Sequence, residues 1–277
     1  MSKLIAKSKV KKFLNKILYR MKLRIKNNSI LKSISFYKLV KKFYDDPIFL
    51  IAREKSTIET NSKYKRTDVI NRILSSRTKP TKYLEIGVRN PEDNFNLIKS
   101  SYKFSVDPGL EAEINKADFK FTSDEFFEKL LEGKILSPKM VFDVIFIDGL
   151  HLADQVERDI DNSLKFIKED GFIILHDVNP PTEWHARENY KFLNSPARGA
   201  WNGTVWKSFL NKRFDKNLRS CCIDADWGIG IISKNRNIGN PIERCNFFFE
   251  YSDFDKNREK YLNLISFDEF FNLIEPS

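Results

Sequence analysis

The sequence has little cysteine and no long apolar run. Its three cysteines, Cys221, Cys222 and Cys245, fit no metal-ligand spacing, and their odd number argues against a disulfide framework. A reducing cytoplasm is the simplest setting for such a chain. Because no run of 18 apolar residues occurs, we expect no membrane-spanning helix. Charges also interrupt every early apolar run, which argues against a secretory signal.

Acidic residues are absent from the first 42 positions, which hold 14 Lys or Arg. The whole chain of 277 residues has a net charge of +10. The other 235 residues therefore hold 34 of the 48 basic side chains and all 38 acidic ones, a net charge of −4. The excess positive charge is confined to an N-terminal arm. A broad nucleic-acid-binding face on the mildly acidic body is not expected.

The N-terminal arm, residues 1–46, shows apolar residues at helical spacing over 10–21 and again over 36–43. A basic amphipathic helix lies readily on an anionic membrane surface. The alternative is a pair of helices docked on the body, or on another subunit of a homo-oligomer, with their lysines in solvent. Membrane or partner contact is favoured over nucleic acid, because aromatic residues are not interleaved with the early charges.

Two apolar stretches, 143–147 and 171–175, are typical of buried strands. Acids and histidines follow them directly: Asp148, His151, His176 and Asp177. Ligands in open α/β sheets lie beyond the carboxyl ends of the strands. If the two strands are neighbours, these side chains surround one crevice. The plainer interpretation of each residue is a solvated turn or a hydrogen-bonded core residue.

A similar pair of strands is predicted earlier, over 82–88 and 104–106, about 20 residues apart as in a nucleotide-binding βαβ unit. Gly87 would let a ligand approach the backbone at the end of the first strand. Asp107 would accept hydrogen bonds from ribose hydroxyls at the end of the second. The alternatives are a tight turn at Gly87 and an ordinary β-turn at Asp107-Pro-Gly.

Strands and helices alternate five times along 82–177, which indicates an α/β fold with a doubly wound parallel sheet. The pattern predicts a third strand at 119–121, then a helix with Thr122 and Glu125 at capping-box spacing. A helix is also expected over 67–74, with Thr67 as its N-cap. A long loop, 179–196, is typical of a lid or binding loop. Stretches 220–224 and 229–233 predict a closing antiparallel hairpin, and the tail predicts helices.

Four motifs together resemble the class I S-adenosylmethionine-dependent methyltransferases. They are Tyr83-Leu-Glu-Ile-Gly-Val88, Val106-Asp-Pro-Gly109, Ile145-Phe-Ile-Asp-Gly-Leu-His151 and Gly171-Phe-Ile-Ile-Leu-His-Asp177. The nearest branch is the sugar and small-molecule O-methyltransferase type of bacterial glycan and natural-product clusters. The resemblance covers roughly 65–235. It implies a Rossmann-like sheet of seven strands with an antiparallel last strand, a methyltransferase domain over 47–240 and a helical appendage over 241–277.

Position by position, the resemblance implies that Glu85 and Gly87 flank the methionine part of the cofactor and that Asp107 holds its ribose. Ser123 and Asp124 would lie near the adenine. The sequence departs from the family after Gly87, where Arg-Asn-Pro-Glu replaces the usual glycine-rich continuation. The cofactor loop must therefore differ in shape.

The resemblance also implies that Asp148 borders the cofactor and that Asp148 and Asp177 bind a divalent metal ion such as Mg²⁺. Such an ion would lower the pKa of a sugar hydroxyl. His151 or His176 would be the base, since an imidazole titrates near neutral pH. Metal-dependent relatives often carry acids where Leu150 and His176 stand, so the metal and the identity of the base both stay open.

The predicted function is transfer of a methyl group from S-adenosylmethionine to a hydroxyl of a sugar or glycan-related acceptor, with possible assistance from a metal. The setting would be cytoplasmic, with a possible peripheral position at the membrane. The first alternative is a scaffold protein with this fold and no cofactor. A nucleic-acid methyltransferase is the second, but an Asn-Pro-Pro-Tyr motif is absent from the fourth strand end.

Overall fold

A computed structural model describes residues 29–111, 113–243 and 248–275. Its contacts divide the chain into two units, Met1–Ile51 and Ala52–Ser277. The amphipathic stretch predicted over 10–21 and the cysteine Cys245 lie outside the described residues. Among the helices within those ranges, none combines the length and the apolar character needed to cross a membrane.

Two helices account for the described residues of the first unit: α1, Ser29–Asp45, and the first turn of α2, Pro47–Thr60. Helix α2 was not predicted, because residues 48–66 have little periodicity. Its start nevertheless carries a recognisable signal. Asp46 accepts a hydrogen bond from the Ile48 amide at 3.0 Å, and Pro47 occupies the first helical position, which proline favours.

A seven-stranded mixed sheet forms the centre of the second unit, in the order β2-β1-β3-β4-β6-β5-β7. The first four strands in this order pair in parallel, whereas β6 runs antiparallel between β4 and β5. The α/β fold class and the antiparallel hairpin are therefore confirmed. The strands are β1 Lys82–Ile86, β2 Tyr102–Val106, β3 Phe142–Ile147, β4 Ile167–Leu175, β5 Arg219–Ile223, β6 Ile229–Ser233 and β7 Leu264–Ile265.

Helices cover both faces of this sheet, and side chains alternate between the faces. Leu84 and Ile86 of β1 pack with α4, α5, α6 and α7, while Tyr83 packs with α3 and α8. These helices are α3 Arg66–Ser75, α4 Ser123–Leu131, α5 Ala153–Phe166, α6 Val205–Arg213, α7 Tyr251–Leu262 and α8 Phe267–Ile274. The capping box predicted at the start of α4 is present, with the Glu125 amide donating to the Thr122 hydroxyl.

The structure corrects two predicted strand boundaries. Residues 119–121 form only an isolated bridge from Phe119 to Val106, because β2 ends there and Pro108 brings no amide to continue the ladder. The β4 strand begins at Ile167, directly after α5 and four residues before the predicted apolar stretch 171–175. Ile167 pairs with Phe142 across a register shift, so sheet pairing extends the strand beyond its apolar run.

One further expectation was wrong. The N-cap of α3 is Lys65 and not Thr67, whose hydroxyl donates to Asn94 Oδ1 at 2.7 Å instead. The tail forms helices as the sequence predicts, α7 and α8, and also contains a short strand, β7, which pairs with β5. It follows Asn263, which ends α7 in a left-handed conformation that asparagine adopts more readily than most residues.

Candidate active site

The strands β1 and β3 end side by side, with Ile86 opposite Ile147. Gly87 follows β1 with φ +91°, and a Cβ atom added there would lie 2.2 Å from the carbonyl oxygen of Asp148. Only glycine permits this approach of the two backbones. Gly87 therefore has a packing role that brings Asp148 to the crevice, in addition to the cofactor role that the resemblance implies.

The structure brings the acids and histidines of the two central strand ends together, as the sequence predicts. His151 Nε2 lies 3.4 Å from Asp148 Oδ1, and its Nδ1 lies 3.2 Å from Asp177 Oδ2. His176 Nδ1 lies 3.3 Å from each of the same two oxygens. Each imidazole thus bridges both carboxylates. Asp177 holds this position with φ +62°, a conformation that non-glycine residues seldom adopt outside functional sites and turns.

The protonation of this cluster follows from burial and charge. Burial lowers the pKa of His151, but Asp177 and Asp148 outweigh it and raise the pKa to about 8. The pKa of His176 rises well above its usual value, because Asp177 and Asp148 again outweigh burial. Burial raises the pKa of Asp148, but His176 and His151 hold it below its usual range. Both shifts favour the imidazolium form, and His151 can act as a base only in its neutral form.

Two residues outside every motif complete the cluster. Asp226 Oδ2 lies 3.4 Å from His176 Nε2 and 3.3 Å from Arg66 Nη1. Asp226, Trp227 and Gly228 are consecutive left-handed residues in the β5–β6 turn, with φ of 48°, 67° and 87°. In the sequence, the acid and the glycine of this stretch indicate a tight turn. No local pattern indicates that it faces the crevice.

The long loop between β4 and α6 also reaches the crevice. The Trp201 ring stacks on His151 with centroids 5.2 Å apart, and its carbonyl oxygen lies 3.2 Å from His151 Nδ1. Asn202 Nδ2 donates to Asp177 Oδ1 at 2.9 Å. The third histidine, His185, is buried between the Ser56 and Thr182 hydroxyls, each 2.8 Å from a ring nitrogen. His185 therefore holds the loop in place and is not part of the acid–histidine cluster.

Glu85 lies in the interior beneath this crevice. Its Oε2 accepts hydrogen bonds from the Tyr83 hydroxyl at 2.6 Å and from Asn94 Nδ2 at 3.0 Å. Burial raises its pKa to about 7, and Asp148 adds to the shift. A positive group placed beside Glu85 would therefore favour its ionised form. The ammonium of a methionine moiety is such a group.

Asp107 joins the loops that follow β1 and β2. Its Oδ2 accepts from the Val88 amide at 2.9 Å, and its Oδ1 accepts from the Gly109 amide at 2.6 Å. Each carboxylate oxygen has a further lone pair for a ribose hydroxyl. The role toward the ribose stays a prediction, and the two contacts show that Asp107 shapes the loop that departs from the family pattern.

The two residues predicted beside the adenine lie at the first turn of α4 and are tied to α5. Ser123 Oγ accepts from Gln155 Nε2 at 3.1 Å. The Asp124 carboxylate pairs with Arg158 Nε at 3.2 Å. Their role toward adenine stays a prediction, since these contacts show only how the side chains are held.

The chemistry of the crevice suits a divalent cation. Asp148, His151 and Asp177 each offer one ligand atom, and these atoms lie within 4.8 Å of one another. Two carboxylates and an imidazole form a donor set that several divalent ions accept. The two predicted ligands therefore lie together, and the geometry adds His151 to them.

Comparison with protein families finds a match that includes this crevice. Residues 84–178, about a third of the chain, match the family model described as "Methyltransferase domain". The match runs from β1 through the residue after Asp177, so it includes both pairs of strand ends described above. The match and the strand order together support a methyltransferase-like α/β fold.

Among solved structures, the chain is similar to an O-methyltransferase from Bacillus cereus in complex with SAH. The identity is 14%, the match covers 68% of this chain and 90% of that chain, and the TM-score is 0.36. A putative O-methyltransferase from Klebsiella pneumoniae shows 12% identity, 73% and 96% coverage and a TM-score of 0.39. The MycE methyltransferase of the mycinamycin pathway, with Mg and SAH, shows 13% identity, 75% and 60% coverage and a TM-score of 0.40. No curated protein matches the chain.

Proposed function

We propose that this methyltransferase transfers a methyl group from S-adenosylmethionine to a hydroxyl of a sugar or glycan-related acceptor. The observation that carries the proposal is the cluster at the ends of β3 and β4, where His151 contacts both Asp148 and Asp177. A base held between two fixed acids suits removal of a proton from a poorly acidic hydroxyl. The motifs that resemble the sugar O-methyltransferase branch supply the acceptor class.

In this proposal some residues bind the cofactor and others accept the proton of the hydroxyl. Asp107 holds the ribose, and Glu85 favours a positive methionine moiety. Bound S-adenosylmethionine supplies an electrophilic methyl group. The neutral form of His151 accepts the acceptor's proton, and the two carboxylates then stabilise the imidazolium. Trp201 covers one face of this imidazole and limits access of water to it.

A divalent ion such as Mg²⁺ fits the same crevice. Asp148 and Asp177 would hold it, with His151 as a third donor, and it would supply Lewis-acid polarisation of the acceptor oxygen. An imidazole that binds a cation cannot accept the acceptor's proton at the same nitrogen. His176, which contacts the same two carboxylates, is then the second candidate base.

Binding of S-adenosylhomocysteine, the reaction product, tests the proposal. We expect Asp107→Asn to weaken its binding at least about tenfold in calorimetry, because a charged acceptor for the ribose hydroxyls is lost. Asp93→Asn, in the same β1–β2 connection but with an exposed side chain, is the control and should bind as the wild type does. If the wild-type protein fails to bind S-adenosylhomocysteine at millimolar concentration, the enzyme proposal is wrong and the scaffold alternative gains.

We also propose that residues 1–42 bring the enzyme to an anionic membrane surface, where lipid-linked glycans are found. Their 14 basic residues without an acid support this. Helix α1 adds exposed apolar side chains, Phe36, Tyr37 and Leu39, beside its lysines. Each basic residue near such a surface contributes about 1 kcal/mol, and salt screens the attraction.

Liposome sedimentation checks the membrane proposal. We expect the protein to sediment with vesicles that contain phosphatidylserine and to be released as salt rises. Phe36→Ser should reduce sedimentation severalfold, because the apolar area that could enter the interface becomes smaller. Leu97→Ser, which removes an exposed apolar side chain from the second unit, is the matched control. Equal sedimentation with neutral and anionic vesicles contradicts the proposal.

A further inference from the structure

Arg66 is fixed at the edge of the crevice by the first turn of α3. Its backbone amide donates to Asp226 Oδ2 at 3.0 Å, and its Nη1 lies 3.3 Å from the same oxygen. Lys65 Nζ lies 3.3 Å from the other Asp226 oxygen. Asp226 is almost fully buried and is held by the strained turn 225–228. The guanidinium is therefore anchored at one end and has little freedom to leave the crevice.

The other edge of this guanidinium faces the acids of the catalytic cluster. Arg66 Nε lies 3.7 Å from Asp148 Oδ2, which is too long for a hydrogen bond. The Nε atom is buried and has no hydrogen-bond partner among the described residues. The other oxygen of the same carboxylate, Asp148 Oδ1, faces His151 and His176. Arg66 and a cation among Asp148, His151 and Asp177 would therefore share one carboxylate.

We propose that Arg66, anchored by Asp226, is a built-in counter-cation of the Asp148–Asp177 pair that opposes the binding of a divalent ion there. Two carboxylates so close would repel one another unless positive charge lay beside them. A guanidinium supplies that charge permanently, since it does not lose its proton in proteins. The inference rests on the metal site of the proposed function and describes how that site is regulated.

Arg66 is expected to lower the affinity of the site for divalent ions. An arriving divalent ion meets a carboxylate whose charge is already partly balanced, and it is repelled by a positive group a few ångströms away. In a partly buried site such a repulsion is large enough to change a dissociation constant by at least a factor of ten. The wild-type protein is therefore expected to bind divalent ions weakly until Arg66 is displaced or its charge is engaged elsewhere.

Titration with Mn²⁺, followed by electron paramagnetic resonance of the free ion, tests this inference without any methyl transfer. We expect Arg66→Met to bind Mn²⁺ at least about tenfold more tightly than the wild type, because the side chain keeps its length and loses its charge. Arg66→Lys should return the affinity to near the wild-type value, since it restores the charge. Arg53→Met, at an exposed arginine of α2, controls for the change in net charge.

The outcomes separate the inference from the proposed function. If Arg66→Met and Arg53→Met bind Mn²⁺ within twofold of the wild type, Arg66 does not oppose the ion and the inference is overturned. The same result follows if Arg66→Lys binds as tightly as Arg66→Met. Thermal melting establishes that each variant is folded, and Arg66→Gln replaces Arg66→Met if that variant does not fold. S-adenosylhomocysteine binding by the same samples reports on the proposed function, whatever the Mn²⁺ result.

Discussion

Replacing Asp148 with asparagine is expected to lower methyl transfer at least about a hundredfold while the protein stays folded. Asparagine matches aspartate in shape, and the backbone amide at this position still donates to the Ile86 carbonyl oxygen, at 2.8 Å in the wild type. The variant loses the negative charge that fixes His151 and His176. It also loses one of the two carboxylates that a divalent ion would need. Both proposed routes to a deprotonated acceptor therefore weaken together.

The measurement is transfer of a radiolabelled methyl group from S-adenosylmethionine to the hydroxyl acceptor that the wild-type protein methylates in a panel of sugars. Asp154→Asn, on the first turn of α5 with a 77% exposed side chain, is the matched control and should keep full activity. Retention of more than a tenth of the wild-type rate by Asp148→Asn would show that the strand-end cluster is not the catalytic centre. Assays with excess chelator then decide whether a metal takes part.

A second large effect is expected on stability at Arg213, the last residue of α6. This side chain is 2% exposed. Its Nη1 donates to the carbonyl oxygens of Ser220 at 2.7 Å and Asn240 at 2.8 Å, and its Nε donates to that of Tyr261 at 3.2 Å. Burial lowers its pKa to about 10, so it stays charged at neutral pH. One guanidinium thus joins α6, β5 and α7.

Arg213→Met is expected to lower the free energy of unfolding by about 3 kcal/mol, because the buried contacts to the Ser220 and Tyr261 carbonyl oxygens and the partly buried contact to that of Asn240 lose their charged donor. Urea unfolding at pH 7 measures this change. Arg219→Met is the matched control, since Arg219 also donates to carbonyl oxygens but is partly exposed at the start of β5. A loss at Arg213 no larger than that at Arg219 would mean that the three contacts of Arg213 contribute nothing beyond those of a partly exposed arginine.

The sequence predicts those crevice residues that come directly after strands. Asp148 and Asp177 stand directly after apolar runs, and parallel neighbours bring such positions to one edge of the sheet. Arg66 and Asp226 could not be predicted in this way. They are 160 positions apart in the chain, and neither belongs to a motif. Their meeting depends on how α3 and the β5–β6 turn pack against the sheet, which no local pattern encodes.

Some secondary-structure elements likewise depend on local sequence, whereas others depend on tertiary pairing. The strand β3 and the helix α4 have their signals in adjacent residues, and both were predicted within one or two positions. Strand β7 has only two residues, Leu264 and Ile265, which form a strand because Cys222 and Ile223 offer them a free edge. The bridge at Phe119 is the opposite case, where a suitable β sequence lacks a partner long enough to pair with.

The left-handed turn at Asp226–Gly228 is synthesised after the strands that carry the family motifs. The ribosome completes every motif-bearing strand by residue 177, but the turn that anchors Arg66 emerges about 50 residues later. A growing chain therefore carries all the sequence features of a methyltransferase before its crevice can close. A fragment that ended between the two points would match the family as well as the full chain does, because the match stops at residue 178. In genome surveys, matching of this kind would count such a truncated product as an enzyme.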